Sequence, residues 1–212
     1  CAGAYISYPA GIAATQEHIP LILMESNVFP GKTNRLLSQK ATAIFTAFEE
    51  SERYFPQPIK RKIRCLGNPI RRQLINLPNQ QESRIKFNLD PNKKTILVFG
   101  GSLGARSINQ AIEKILPNFT DSDIQFLWQT GTNYFPPQEL PANVTVLPFI
   151  NDMASAYASA DLVISRSGAT TVTELCVVGK PSILVPLPTA ANNEQELNAS
   201  VLEEKKAAVM LP

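Results

Sequence analysis

The chain is poor in the residues that metal and disulfide chemistry need. It has one histidine, His18, and three widely spaced cysteines, Cys1, Cys65 and Cys176. There is no Cys-x-x-Cys, so a typical zinc set has no basis, and the odd count argues against a disulfide framework. His18 precedes Ile19-Pro20 and reads as a helix-end residue. Cys176 lies in an apolar helical pattern and reads as a buried thiol, which favours a reducing compartment. No run approaches the roughly 20 apolar residues that cross a bilayer. Residues 1–11 lack the charged start and long apolar stretch of a signal peptide. Gly-x-Gly-x-x-Gly is absent, and so is the Lys-Ser/Thr of a P-loop. Twenty basic residues against eighteen acidic ones give a net charge of +2, which makes no case for a nucleic-acid partner. The basic residues do bunch at Lys60-Arg61-Lys62, Arg64 and Arg71-Arg72. A phosphorylated ligand or anionic lipid would favour such a bunch, and a solvated loop is the plainer reading.

What is present suits a core-forming α/β protein. Of 212 residues, 44% are hydrophobic and 18% charged, enough for one large or two small domains. Short apolar runs alternate with amphipathic helical stretches, as parallel βαβ units require. Strands are expected at residues 20–24, 43–47 and 62–66. Helices are expected at 10–17 and 34–40, with a further turn at 49–55. Asn68-Pro69 breaks the pattern, and the polar stretch 74–91 reads as the passage between domains, with the boundary at residues 68/69. Residues 95–99 then open a doubly wound pattern. Its further strands are expected at 124–128, 144–147, 160–164 and 182–186, and its helices at 108–116, 152–158 and 194–206, with another following Gly168. A near-continuous apolar strand such as 95–99 is what a sheet covered on both faces demands. Cys1-Ala2-Gly3-Ala4-Tyr5 reads as the middle of a loop, so the chain is expected to have lost its beginning. The strand-like run at its end leaves room for a missing far end as well.

Four stretches could carry chemistry. In the first, Ile164-Ser165-Arg166-Ser167-Gly168-Ala169-Thr170-Thr171-Val172-Thr173-Glu174, a strand feeds a helix through Ser and Gly. The first helical N–H groups are left unpaired, and with the helix dipole they attract phosphate. Glu174, one turn into the helix, suits a ribose diol. The alternative is an ordinary helix start with a solvated Glu. The second, Gly100-Gly101-Ser102-Leu103-Gly104-Ala105-Arg106, is either a phosphate loop or a tight turn whose glycines serve packing. The third runs from Pro186 to Asn198, with a polar loop from Pro186 to Gln195, and the fourth is Glu25-Ser26-Asn27. Both follow strands at the edge where open α/β sheets bind ligands; the third could be a surface loop with a capped helix and the fourth a solvated turn.

Taken in order, these stretches resemble the MurG family of N-acetylglucosaminyltransferases. The likeness also runs through Gly3-Ala4-Tyr5-Ile6-Ser7-Tyr8-Pro9-Ala10-Gly11, Gly67-Asn68-Pro69-Ile70-Arg71, Phe149-Ile150-Asn151-Asp152-Met153 and Gln195-Glu196-Leu197-Asn198-Ala199. The resemblance implies a GT-B fold, two Rossmann-like α/β domains facing a cleft, the first incomplete. It implies transfer of GlcNAc from UDP-GlcNAc to lipid I, with inversion, on the cytoplasmic face of the plasma membrane as a peripheral protein. It implies no cofactor and no integral metal. Asn27 and Gln195 would contact the transferred sugar. Arg71, Ser102 and Ile150 would line the donor site, Ile150 through its backbone near the uracil. Ser167 and Ala169 to Glu174 would hold phosphate and ribose, with Arg166 close by. The family commonly has His-Gln in place of Glu194-Gln195 and often His-Glu-Gln-Asn in place of Met24-Glu25-Ser26-Asn27. The family's proposed histidine base corresponds to a position before Cys1. The alternatives are a related transferase for another lipid acceptor, such as diacylglycerol, and a silent nucleotide-sugar binding module. An NAD-dependent oxidoreductase is disfavoured by the absent fingerprint.

Overall fold

In the computed structural model, which describes residues 1–211, the chain builds two parallel sheets in succession. The first holds β1 (Ile22–Glu25), β2 (Ala43–Thr46) and β3 (Ile63–Cys65) in the order β1-β2-β3. Helices α1 (Ser7–Gln16), α2 (Lys32–Leu37) and α3 (Gln57–Lys60) and a 3-10 turn at Glu49–Tyr54 connect it. His18 ends α1 in the left-handed region (φ 55°), as its helix-end position anticipated.

The second sheet holds β4 (Lys94–Phe99), β5 (Ile124–Gln129), β6 (Val144–Leu147), β7 (Leu162–Ser165), β8 (Ser182–Leu184) and β9 (Ala208–Met210). Their order is β6-β5-β4-β7-β8-β9, all parallel. Helices α5 (Arg106–Ile115), α6 (Met153–Ser159), α7 (Ala169–Val178) and α8 (Glu194–Glu204) cover it. Period-two alternation divides β4 between the two faces. Leu97 and Phe99 join a core with Leu127, Tyr157, Val163, Val172 and Leu184, while Val98 joins Ile108, Ile112, Phe126 and Trp128 under α5. Chain order reverses between β4 and β7, so their carboxyl ends form the crevice where such sheets bind ligands.

Two expectations need correcting. The stretch 74–91 is not merely a polar passage: it contains α4 (Gln80–Lys86). Asn79 caps that helix, its side chain accepting from the N–H groups of Gln81 and Glu82. Arg84 anchors it, donating to Ser159 O, Pro91 O and the Asp161 carboxylate. Cys176 is exposed, not buried. Only Val172, Glu174 and Leu175 of α7 are fully covered, and Cys176 falls on the outer side of that stripe.

The two sheets meet in the interior. Val28 and Phe48 from the first lie in the same core as α6, α7 and α8. Asn68, between the sheets, donates to Ser26 O on one side and to Thr173 Oγ1 on the other.

Candidate donor site

At the crevice, a cavity of about 340 Å³ opens between the turns that follow β4 and β7. Its walls are Gly101 and Ser102 after β4, Gln129 at the end of β5, and Phe149 and Ile150 after β6. Thr170, Thr171 and Glu174 of α7 close it, and Arg71 reaches in from the segment between the sheets. Six predicted residues therefore converge here: Arg71, Ser102, Ile150, Thr170, Thr171 and Glu174.

Helix α7 supplies the donors. Its first intrahelical bond runs from Val172 N to Gly168 O, 3.0 Å, and Gly168 at its N-cap offers no side chain. The amides of Ala169, Thr170 and Thr171 consequently have no partner among the described residues. An adjoining pair of hydroxyls, Ser165 Oγ and Ser167 Oγ, is buried and unpaired too. Free donors at the positive end of a ten-residue helix form an anion site.

Glu174 faces the same cavity while itself only 3% exposed. Tyr157 Oη donates to its Oε2 at 3.1 Å, and Arg71 Nε lies 3.5 Å from its Oε1. Oε1 has no hydrogen-bond partner. Burial, and then the Glu174 charge, push the Tyr157 phenol far above its ordinary pKa, so Tyr157 remains a donor. One carboxylate oxygen is thus oriented from behind, and the other, buried and without a hydrogen bond, has the Arg71 guanidinium beside it.

Gln129 is a second residue that sequence reasoning missed. Its Nε2 donates to Gly101 O at 2.8 Å and its Oε1 accepts from Ile150 N at 2.8 Å. One amide therefore fixes two walls of the cavity, and the Ile150 N–H is already engaged. The available signal was a polar residue at the carboxyl end of a strand, directly after the apolar run Phe126-Leu127-Trp128.

The glycines of the β4 turn prove to have separate roles. A Cβ on Gly104 (φ +78°) would meet Thr130 O at 2.0 Å, so this glycine lets the turn press against the end of β5. Gly101 faces open space and borders the cavity.

The remaining predicted residues, Ala169 among them, are not in the wall of the cavity. Ser167 is fully buried beneath the turn. The Val172 side chain is fully buried in the core. Thr173 Oγ1 donates to Ala169 O and accepts from Asn68. Arg166 turns to the neighbouring strand, donating to Val185 O, Pro186 O and Ser107 Oγ. Gln195 Oε1 accepts from Leu187 N, 3.0 Å, which closes the loop between β8 and α8. Asn27 sits across the sheet boundary, on a turn organised by the buried carboxylate of Glu25. That carboxylate accepts from Asn27 N, Gly31 N and Asn34 Nδ2. The turn is held, not solvated. Burial, and then the Glu25 charge, raise the pKa of Glu194 at the start of α8.

Of the basic bunch, Lys62 donates to Gln39 O and Ala41 O, and only Arg71 reaches the cavity. Among the described residues no group of three or more His, Cys, Asp or Glu side chains could hold a metal ion. No helix among them is long and apolar enough to cross a membrane.

Known proteins share this fold. The chain is 44% identical to the UDP-N-acetylglucosamine--N-acetylmuramyl-(pentapeptide) pyrophosphoryl-undecaprenol N-acetylglucosamine transferase of Bacteroides thetaiotaomicron, over 98% of this chain and 57% of that protein. It superposes on the crystal structure of Acinetobacter baumannii MurG with a TM-score of 0.75 and 32% identity, covering 99% of this chain and 58% of that one. The calicheamicin glycosyltransferase CalG4 shares the fold at a TM-score of 0.63 and 14% identity, over 93% of this chain and 56% of that one. The chain thus spans a little over half the length of the relatives it matches, and its architecture is GT-B. The model of the glycosyltransferase family 28 N-terminal domain matches residues 1–46, and that of the C-terminal domain matches residues 95–212. Since the second match alone takes in more than half of the residues, and in it lie the strands that carry the cavity, the chain belongs to glycosyltransferase family 28.

Proposed function

We propose that the chain binds UDP-GlcNAc and takes part in transferring its N-acetylglucosamine to the muramoyl C4 hydroxyl of lipid I, with inversion, yielding lipid II. One observation carries this reading. Thr170 and Thr171, whose amides are unpaired, and the buried Glu174 carboxylate line a single cavity at the β4/β7 crevice. Amides at a helix N-terminus match a diphosphate, and a desolvated carboxylate matches a ribose diol. In the transfer, the acceptor hydroxyl attacks the anomeric carbon and gives its proton to a general base, the C–O bond to the diphosphate breaks, and UDP leaves with the electron pair. The α7 amides are already aimed where that charge grows, so they stabilise it without reorganising. Arg71 adds a cation at the rim. Asn27 and Gln195 face the sugar, and Ser102 and Ile150 the nucleotide. The proposed domain boundary is at residues 68/69, and the proposed place of action is the cytoplasmic face of the plasma membrane, by peripheral attachment.

The relatives' shared name, which specifies both donor and acceptor, supports this choice of substrates. Calorimetric titration with UDP and UDP-GlcNAc tests the donor half; no heat from either ligand overturns it. Transfer of labelled GlcNAc to lipid I, compared with diacylglycerol, tests the acceptor. Binding without transfer to any lipid leaves a nucleotide-sugar binding module.

A further inference from the structure

We propose that two copies of this chain associate through α5, packed antiparallel about a two-fold axis, so that Arg106 of each copy pairs with Glu113 of the other.

A groove of about 650 Å³ runs between α5 and the loop that follows β5. It shares no lining residue with the donor cavity, so a molecule seated in it leaves that cavity open. Two of the three most exposed large apolar side chains among the described residues border it, Phe135 at 88% and Leu103 at 79%. Scattered apolar residues are normal on a surface, but two large ones beside one groove mark an interaction face.

Arg106, Gln110 and Glu113 line the groove at the spacing i, i+4, i+7, so they share one face of α5. Arg106 and Glu113 stand two turns apart, about 10.5 Å along the helix, too far to meet within one copy. Among the described residues neither forms an ion pair. Burial, and then Glu113, push the Tyr134 phenol up to about 12 while Arg106 pulls it down, so both charges reach the same groove.

This order of side chains is complementary to itself. In an antiparallel pair about a two-fold axis, each position meets the one equally far beyond the axis, and every contact occurs twice. With the axis between residues 109 and 110, Arg106 falls opposite the second copy's residue 113, a glutamate. Near the axis a residue meets its own copy, which excludes a charge there. Gln110, the exposed residue nearest it, has a carboxamide that both donates and accepts and so pairs with itself. Lys114 falls opposite residue 105, an alanine, so no like charges meet. Phe135 and Leu103 at the rim supply the apolar contact that these charges align. A groove for an unrelated partner has no need of such symmetry.

Sedimentation equilibrium of the full chain from about 1 to 200 µM tests the proposal. The mass is expected to rise from 23.3 kDa toward twice that value. Arg106→Glu and Glu113→Lys should each raise the dimer Kd by about tenfold or more, because each sets like charges face to face twice. Mixed in equal amounts, the two variants regain opposite charges at both ends and should associate within about threefold of wild type, which variants damaged in their fold could not do. Should either variant fail to fold, Arg106→Gln or Glu113→Gln takes its place, with an expected weakening of about threefold. A chain that stays at monomer mass to the highest concentration overturns the proposal. So does association that neither variant weakens, and so does a mixture that associates no better than the variants alone.

Discussion

Strands β4 and β7 lie side by side, and each ends in a turn of Ser and Gly that opens a helix. The β4 turn has three glycines and the β7 turn one. Glycine content would rank the first as the stronger phosphate site, yet both turns open a helix whose first amides are unpaired, the bonds Asn109 N to Ala105 O and Val172 N to Gly168 O being the first in each. Gly104 of the β4 turn packs against Thr130 O, and Gly104 N donates to Gly101 O within the turn. The β7 turn keeps its glycine in the open and adds two buried, unpaired hydroxyls, Ser165 Oγ and Ser167 Oγ, to its unpaired amides. Unpaired donors that converge mark a ligand site, whereas glycine marks only a backbone that comes close to something, ligand or protein.

Exchanging the glycines should separate these roles most sharply. Gly104→Ala is expected to destabilise the protein by about 2–4 kcal/mol, because its Cβ meets backbone and its φ is positive. Gly168→Ala meets nothing within 4 Å and should cost no more than about 1 kcal/mol, while weakening UDP binding where the ligand needs that space. Urea unfolding of the two variants beside UDP titration checks both; equal destabilisation would undo the contrast.

Next in size is Glu174→Ala, expected to weaken UDP binding by roughly 1.5–3 kcal/mol through loss of a charged partner. Unchanged affinity would remove Glu174 from the site. Tyr157→Phe strips the donor from Glu174 Oε2 and should weaken UDP by about 1 kcal/mol, with stability reduced by about 1–3 kcal/mol for the buried oxygen left unpaired. A variant that loses stability but keeps wild-type UDP affinity would show that Tyr157 does not orient Glu174.

The smallest effect lies away from both turns. Hydrogen bonds from Lys86 and Ser155 lower the Asp152 carboxyl pKa to about 2. A folded pKa below the unfolded value, about 3.9, adds stability above that value, which is lost as pH falls toward 2. Asp152→Asn should therefore flatten the decline in Tm between about pH 4 and pH 2 and lower Tm at pH 7 by the same contribution, a small one because the pair is partly exposed. An unaltered acid limb in a Tm-against-pH series would rule the pair out as its source.

Much of this was legible in advance. The six-strand sheet was readable because buried parallel strands are continuous apolar runs, and the α7 turn because a strand, a Ser/Gly turn and a helical period are all local signals. Helix α4 was obscured because it is seven residues long and polar, and its support comes from Ser159 and Asp161, over seventy positions away. The side of α7 on which Cys176 falls was ambiguous because residues 172, 175 and 178 alone do not define how wide the covered stripe is.

The amino-acid sequence alone determined the alternation of elements, the place of the phosphate-type turn and the types of side chain available to a nucleotide. Tertiary structure decided which of those side chains meet and in what sense they bond. Glu174 owes its orientation to Tyr157, Gln129 joins Gly101 to Ile150, and Asn27 Oδ1 accepts from Asn198 Nδ2, 171 positions away. The reason is range. Backbone geometry and helix-end amides follow from neighbours within about one turn. A buried amide or carboxylate takes its orientation from whatever groups the packed strands bring beside it, and those come from anywhere in the chain.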